Sequence, residues 1–216
     1  MIRLDIFSDP VCPWCYIGKS NLDRALETRP EHPFTVEWHP FQLNPDMPPE
    51  GRDRAAYLEE KFGGKLKAVQ VYAQVVEAAR AAGLDIDFAA IPRIPNTLDA
   101  HRLIHWAGIE GKQNAVVSAL FRAYWRDGRD IGDRSVLAQV AADAGMDGAV
   151  TARLLDTDAD RDDIAARDLD ARRKGVNAVP TFLIARQYVL SGAQPVALWQ
   201  QVIDELSEKL RDDTSA

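Results

Sequence analysis

The residues best suited to chemistry are Cys12 and Cys15, the only cysteines of the chain, which form a single Cys12-Pro13-Trp14-Cys15. Two thiols one helical turn apart can close into a disulfide, share a metal or sit idle in a core. A framework of structural disulfides is excluded, because there is only one pair. A structural zinc site takes four ligands, commonly two such pairs, so His39, His101 and His105 would have to complete it. Two inert buried thiols are the remaining alternative. Redox exchange is favoured by position, since the motif follows a strand and opens a helix. Backbone N–H groups at a helix N-terminus stabilise an anion, and the first thiol of such pairs has its pKa lowered to about 3.5–7. A thiolate at Cys12 attacks a disulfide sulfur to form a mixed disulfide. Cys15 then attacks Cys12 and releases the product, which makes Cys12 the nucleophile and Cys15 the resolving thiol. Trp14 and Pro13, between the two, read as substrate surface.

The elements that must position this pair follow from periodicity. Ile2, Leu4 and Ile6 alternate with Arg3, Asp5 and Phe7 as a strand, and Ser8-Asp9-Pro10-Val11 is a turn. Ile17, Leu22, Ala25 and Leu26 recur at helical spacing, with Pro30 as the stop. Phe34, Val36 and Trp38 alternate as a second strand. Residues 42–180 then read almost wholly as helix. Leu66, Val69, Tyr72, Ala73, Val76 and Ala79 form one stripe, closed by Gly83. Asn96 or Thr97 caps a helix bearing Leu98, Leu103 and Ile104. Further stripes run through Val116 to Tyr124 and Val136 to Ala141, and two short acid-capped helices lie within 147–174. Beyond Gly175, Thr181-Phe182-Leu183-Ile184 and Tyr188-Val189-Leu190 suit a hairpin. A closing helix starts at Pro195, and the polar tail from Arg211 to Ala216 is expected to fray. The expected class is α/β: a thioredoxin fold with a large all-helical domain inserted between the second and third strands. The thioredoxin-like domain would comprise residues 1–43 and 175–216, the insert 44–174.

Composition narrows the partners. Hydrophobic residues at 46% and charged residues at 27% are the balance of a globular chain. The net charge of −7, from 26 Lys and Arg against 33 Asp and Glu, argues against nucleic acid and anionic membrane. No apolar run approaches the roughly 18 residues of a membrane span, and the first residues lack the apolar run of a secretory signal. A cytoplasmic location is expected. His101 and His105 lie four apart, as zinc ligands can, but read as packing residues. Asp156, Asp158, Asp160 and Asp162 alternate like a calcium loop, yet Arg161 and Arg167 stand where Gly and Glu are needed. No metal and no tightly bound cofactor is called for.

Val179-Pro180-Thr181-Phe182 resembles the segment of the thioredoxin superfamily in which a cis-proline faces the Cys-x-x-Cys. That resemblance implies a cis Pro180 beside Cys12, with Val179 offering its backbone to a substrate peptide. Ser8-Asp9-x-x-Cys12-Pro13-Trp14-Cys15, Asn96-Thr97-x-x-Ala100-His101-Arg102-Leu103, Gly175-Val176-x-x-Val179-Pro180-Thr181-Phe182 and Ser191-Gly192-Ala193-Gln194-Pro195 resemble the DsbA-like family of FrnE type. The likeness spans Ile2 to about Leu210. It implies a protein disulfide oxidoreductase exchanging disulfides with protein or small thiol substrates such as glutathione. It also brings Asn96, Thr97 and His101 near the substrate. The same fold serves 2-hydroxychromene-2-carboxylate isomerases and kappa-class glutathione transferases, so a glutathione-dependent isomerase or transferase is the alternative. Those relatives typically carry Ser at the position of Cys12 and a Ser-Asp pair where this chain has Ala193-Gln194. The second cysteine pair of some relatives is lacking. The apolar helical insert suits a homodimer.

Overall fold

The computed structural model describes residues 1–215, with side chains through Asp212. β1 (Ile2–Ser8) is an inner strand of a four-stranded sheet of order β2-β1-β5-β6. It runs parallel to β2 (Phe34–Pro40) and antiparallel to β5 (Thr181–Ile184), which pairs antiparallel with β6 (Tyr188–Ser191). Both faces of β1 are covered, so Asp5 and Ser8 are buried along with Leu4 and Ile6. The register sets Phe7 opposite Thr181. The segment leading into β5 therefore ends beside the turn leaving β1, although some 170 residues separate them in sequence. On the outer edge of β2 one side chain pairs with the backbone of Trp38. Gln113 accepts from Trp38 N through Oε1 at 2.8 Å and donates from Nε2 to the Trp38 carbonyl at 3.1 Å.

α1 (Pro13–Glu27) takes Pro13 in its first turn, where no N–H is needed. It ends at Glu27, capped by Thr28, before Pro30 is reached. Gly18 faces the chain leading into β5: a Cβ there would lie 3.0 Å from Pro180 Cγ and 3.4 Å from Ala193 Cα. α9 (Val196–Ser215) packs on α1 and buries Trp199 against Phe182, their rings 4.8 Å apart. It begins just after Pro195, whose carbonyl accepts Leu198 and Trp199 N–H. The helix runs through the expected frayed tail as far as Ser215, and Ala216 lies outside the described residues.

Between β2 and β5 the chain is mostly, not wholly, helical. β3 (Arg52–Asp53) and β4 (Arg93–Ile94) pair antiparallel, too short to show a period in sequence. Gly51 permits this ribbon: at φ +69 its missing Cβ would sit 2.5 Å from the Ile94 carbonyl. α2 (Arg54–Phe62) carries only a short stripe of Tyr57, Leu58 and Phe62, buries Arg54 and Leu58, and is sharply bounded at its ends. Asp53 accepts Ala56 N–H at 2.8 Å, and Gly63 closes it in the left-handed conformation. α3 (Lys65–Ala81) buries only Val75 and Ala79, leaving Leu66 and Val69 of its expected stripe exposed. α4 (Leu98–Ile109), α5 (Gln113–Phe121), α6 (Arg134–Asp143), α7 (Gly148–Leu155) and α8 (Arg161–Arg173) follow. A π turn at Arg122–Arg126 extends α5 and lets the adjacent Tyr124 and Trp125 both be buried. Arg102 is also fully buried. It donates to the carbonyls of Leu154, Thr157 and Ala159 and to Asp99 Oδ1, all within 2.7–2.9 Å. Among the described residues no helix is long and apolar enough to cross a membrane.

Candidate active site

The turn that leaves β1 delivers Cys12 to the N-cap position of α1. Cys12 N donates to the Asp9 carbonyl at 2.9 Å, and its own carbonyl accepts Cys15 N and Tyr16 N. Its side chain makes no capping bond, so the sulfur is left for other contacts. Cys12 Sγ donates to the Val179 carbonyl at 3.6 Å, and the Val179–Pro180 peptide bond is cis. Both cysteines are free thiols, 3% and 1% exposed. Burial pushes the Cys15 thiol well up, and the neighbouring Cys12 adds to this against smaller opposing contacts from Ser8 and the Asp9 backbone. The inner thiol therefore keeps its proton while the outer one faces the cavity.

That cavity holds about 280 Å³. Cys12, Pro13 and Trp14 form one wall, and Ala178 and Val179 line it too. Tyr57 and Leu58 of α2 and Tyr72 and Val75 of α3 form another. Trp14 is 37% exposed at the rim, whereas Trp38, Trp106, Trp125 and Trp199 are buried. A larger cavity of about 770 Å³ on the far edge of β2, lined by Arg3, His105 and Arg167, contains no thiol.

The turn is clamped from outside the β1–α1 unit. Asp9 is fully buried, and its Oδ2 accepts Leu43 N at 2.7 Å. Trp125 Nε1 donates to the Pro10 carbonyl at 3.0 Å. His101 Nε2 lies 3.7 Å from Asp9 Oδ1, beyond hydrogen-bond reach. His101 is thus buried and does not line the cavity near which the resemblance places it. Thr97 is likewise buried. Asn96 accepts Leu98 N at 2.9 Å and donates to the Met47 carbonyl at 2.6 Å, and it lines a separate cavity with Asp99 and Arg134. Asp9 and Tyr72 are the residues that sequence reasoning misses. One reads as an ordinary turn former, the other as a member of an apolar stripe.

Among the described residues no His, Asp or Glu joins Cys12 and Cys15 in a set of three. Asp5, Glu37 and His39 do converge elsewhere. There Arg3 pairs with Asp5 at 2.6 Å and Glu37 at 2.9 Å, so a guanidinium already meets both carboxylates.

Comparison with known proteins follows the same lines. The DSBA-like thioredoxin domain family matches residues 3–204. YwbO of Bacillus subtilis (strain 168), an uncharacterized protein, is 26% identical over 209 residues, 96% of this chain and 98% of its own. The crystal structure of a "probable DsbA oxidoreductase" from Streptomyces coelicolor is 30% identical, with a TM-score of 0.83 over 95% of this chain and 89% of that one. The cytosolic disulfide reductase DsbM of Pseudomonas aeruginosa, solved with GSH, is 21% identical and shares the fold, with a TM-score of 0.69 over 97% and 99%.

Proposed function

The chain belongs to the DSBA-like thioredoxin domain family, and from that premise we propose that it is a thiol–disulfide oxidoreductase working through Cys12 and Cys15. The observation that carries this is the outer thiol, Cys12, set at the mouth of α1 against the Val179 carbonyl and lining an apolar cleft. The Cys12 thiolate attacks one sulfur of a substrate disulfide. The S–S bond breaks, a mixed disulfide forms, and the other substrate sulfur leaves as a thiolate that takes up a proton. Cys15 loses its proton, attacks Cys12 Sγ and expels the second substrate thiol. The substrate gains two electrons and the enzyme keeps the Cys12–Cys15 disulfide; the reverse sequence oxidises a dithiol.

Roles follow for the neighbours. Pro13 and Trp14 shape the rim, and Val179 with Pro180 presents the backbone along which an extended peptide or glutathione would lie. Residues 44–174 act as a helical domain inserted into a thioredoxin-like domain of residues 1–43 and 175–216, closing the far side of the cleft. Protein disulfides and glutathione are the substrate classes, in a reducing cytoplasm where the dithiol is the resting form.

Mass spectrometry of the Cys15→Ser protein incubated with oxidised glutathione tests this. One glutathionyl adduct on Cys12 is expected, absent in Cys12→Ser. Disulfide exchange that survives Cys12→Ser would overturn the role of Cys12, and glutathione binding with isomerase turnover that survives Cys12→Ser would favour a glutathione-dependent isomerase or transferase instead.

A further inference from the structure

No formal charge lies in the Cys12-Pro13-Trp14-Cys15 segment, and the first turn of α1 carries no acid. A buried cation stands behind the opposite wall. Arg54, at the start of α2, is 8% exposed. Its Nη1 donates to the Phe88 carbonyl at 3.2 Å, while Nε and Nη2 have no acceptor among the described residues beyond the neighbouring Tyr72 hydroxyl. Its guanidinium carbon lies 4.8 Å from the Tyr72 ring centroid and 5.3 Å from that of Phe88. Tyr72 in turn lines the cleft together with Cys12.

A buried cation without a carboxylate is costly, and two ring faces and one carbonyl offset only a fraction of that cost. It lowers the energy of an anion on the far side of the ring, and a dry wall screens this little. The anion this cleft produces is the Cys12 thiolate. We propose that Arg54 is the fixed positive charge that stabilises the Cys12 thiolate across the Tyr72 wall, and so acts as a positioning residue that sets how reactive the thiol is. The assignment rests on Cys12 being the attacking thiol.

The Tyr72 hydroxyl senses both ends. Burial pushes it up, Arg54 pulls it down, and charge on Cys12 pushes it up again. The other titratable groups around the cleft are Asp9 in the turn, Cys15 on α1, Tyr57 and Lys61 on α2, and Tyr124 behind Arg54. Asp9 opposes Arg54, but its charge is partly met by Leu43 N–H. Lys61 is exposed and screened by solvent.

Ultraviolet titration of Cys12 in a Cys15→Ser background tests the proposal, using Arg54, Arg54→Lys, Arg54→Met and, as control, Lys61→Met. Arg54→Met is expected to raise the midpoint by about 0.5–1 unit, a three- to tenfold loss of thiolate at fixed pH. Arg54→Lys should stay near the parent, and Lys61→Met should move less than Arg54→Met. With both cysteines present, Arg54→Met should equilibrate with glutathione at a more negative potential, because the reduced form loses stabilisation. An unmoved midpoint in Arg54→Met overturns the proposal, as does an equal shift in Arg54→Lys, which would mark packing and not charge. Should Arg54→Met fail to fold, Arg54→Gln keeps an N–H for Phe88 without the charge and carries the same test. A parent that forms no Cys12–Cys15 disulfide overturns the function itself; a parent that does, with titration indifferent to Arg54, overturns only this role.

Discussion

Replacing Asp9 by Ala isolates what holds the turn that carries Cys12 in place. The carboxylate is fully buried and accepts Leu43 N at 2.7 Å, while its contact with Val11 N, at 3.4 Å, is too long to count for much. The substitution removes one charge-assisted hydrogen bond, worth about 1.5–3 kcal/mol, and leaves the Leu43 N–H without its acceptor. The two effects overlap, so a loss of about 2–4 kcal/mol is expected. In a chain of this size that lowers Tm by about 5–15 °C, since 1 kcal/mol moves it by about 2–4 °C. Asp9→Asn can still offer an oxygen to Leu43 but turns an amide toward Val11 N–H, and should cost about half as much. The Cys12 N–H bond to residue 9 uses the backbone carbonyl and survives, so the mixed-disulfide rate should fall less than stability does. Thermal unfolding followed by circular dichroism provides the assay, with His101→Phe added as a double-mutant cycle. A Tm for Asp9→Ala within about 2 °C of the parent would refute the reasoning. So would coupling to His101 as large as the whole Asp9→Ala loss, because the energy would then lie in the Asp9–His101 pair and not in the Leu43 bond.

Three further outcomes are expected. Arg102→Met strips the Thr157 and Ala159 carbonyls of their buried side-chain donor, while Leu154 and Asp99 keep other partners, and should cost about 3–5 kcal/mol in urea unfolding, with Arg102→Lys recovering less than half. Gly18→Val drives methyl groups toward Pro180 Cγ, already 3.0 Å from the first added carbon; a loss of about 1–3 kcal/mol, together with slower glutathionylation of Cys12, is expected despite the better helix former. His39 is pushed below its ordinary value by burial, against the pull of Asp5. The unfolded chain therefore binds the extra proton first, and stability should fall as pH drops below about 6.5, by at most about 1.4 kcal/mol per unit; His39→Gln should flatten that slope between pH 7 and 5.5, and an unchanged slope would count against it.

What the sequence disclosed depended on how locally each feature is encoded. The Cys12–Cys15 pair, the strand before it and the helix after it are set by neighbours within a few residues, and β2, β5, β6 and α9 carry apolar patterns of their own. α2 carries only a short one, Tyr57, Leu58 and Phe62 between the caps Asp53 and Gly63, and buries just Arg54 and Leu58. The β3–β4 ribbon is invisible because two residues per strand show no alternation. Asn96, Thr97 and His101 mark the start of α4 by type, but their distance from the cleft depends on how α4 packs. Asp9 shows the same limit from the other side. A turn-forming aspartate and a buried clamp look alike until Leu43, 34 residues on, is seen to supply the N–H.

The long segment between β2 and β5 does more than cover the thiols. A strand–turn–helix with Cys12 at its mouth needs only residues 1–27 and the chain leading into β5 to set Cys12 against the Val179 carbonyl. Yet the turn itself carries a carboxylate, Asp9, and a carbonyl, Pro10, that face inward, and each is met from afar: Asp9 by Leu43, just past β2, and Pro10 by Trp125 in the π turn. The same π turn buries Trp125 against Phe88, the ring stacked on Arg54, whose other aromatic neighbour, Tyr72, walls the cleft. Clamp and wall are therefore one continuous packed cluster. A change that shifts Trp125 is expected to disturb both the turn that carries Cys12 and the Tyr72 wall of the cleft, so the two are coupled through packing.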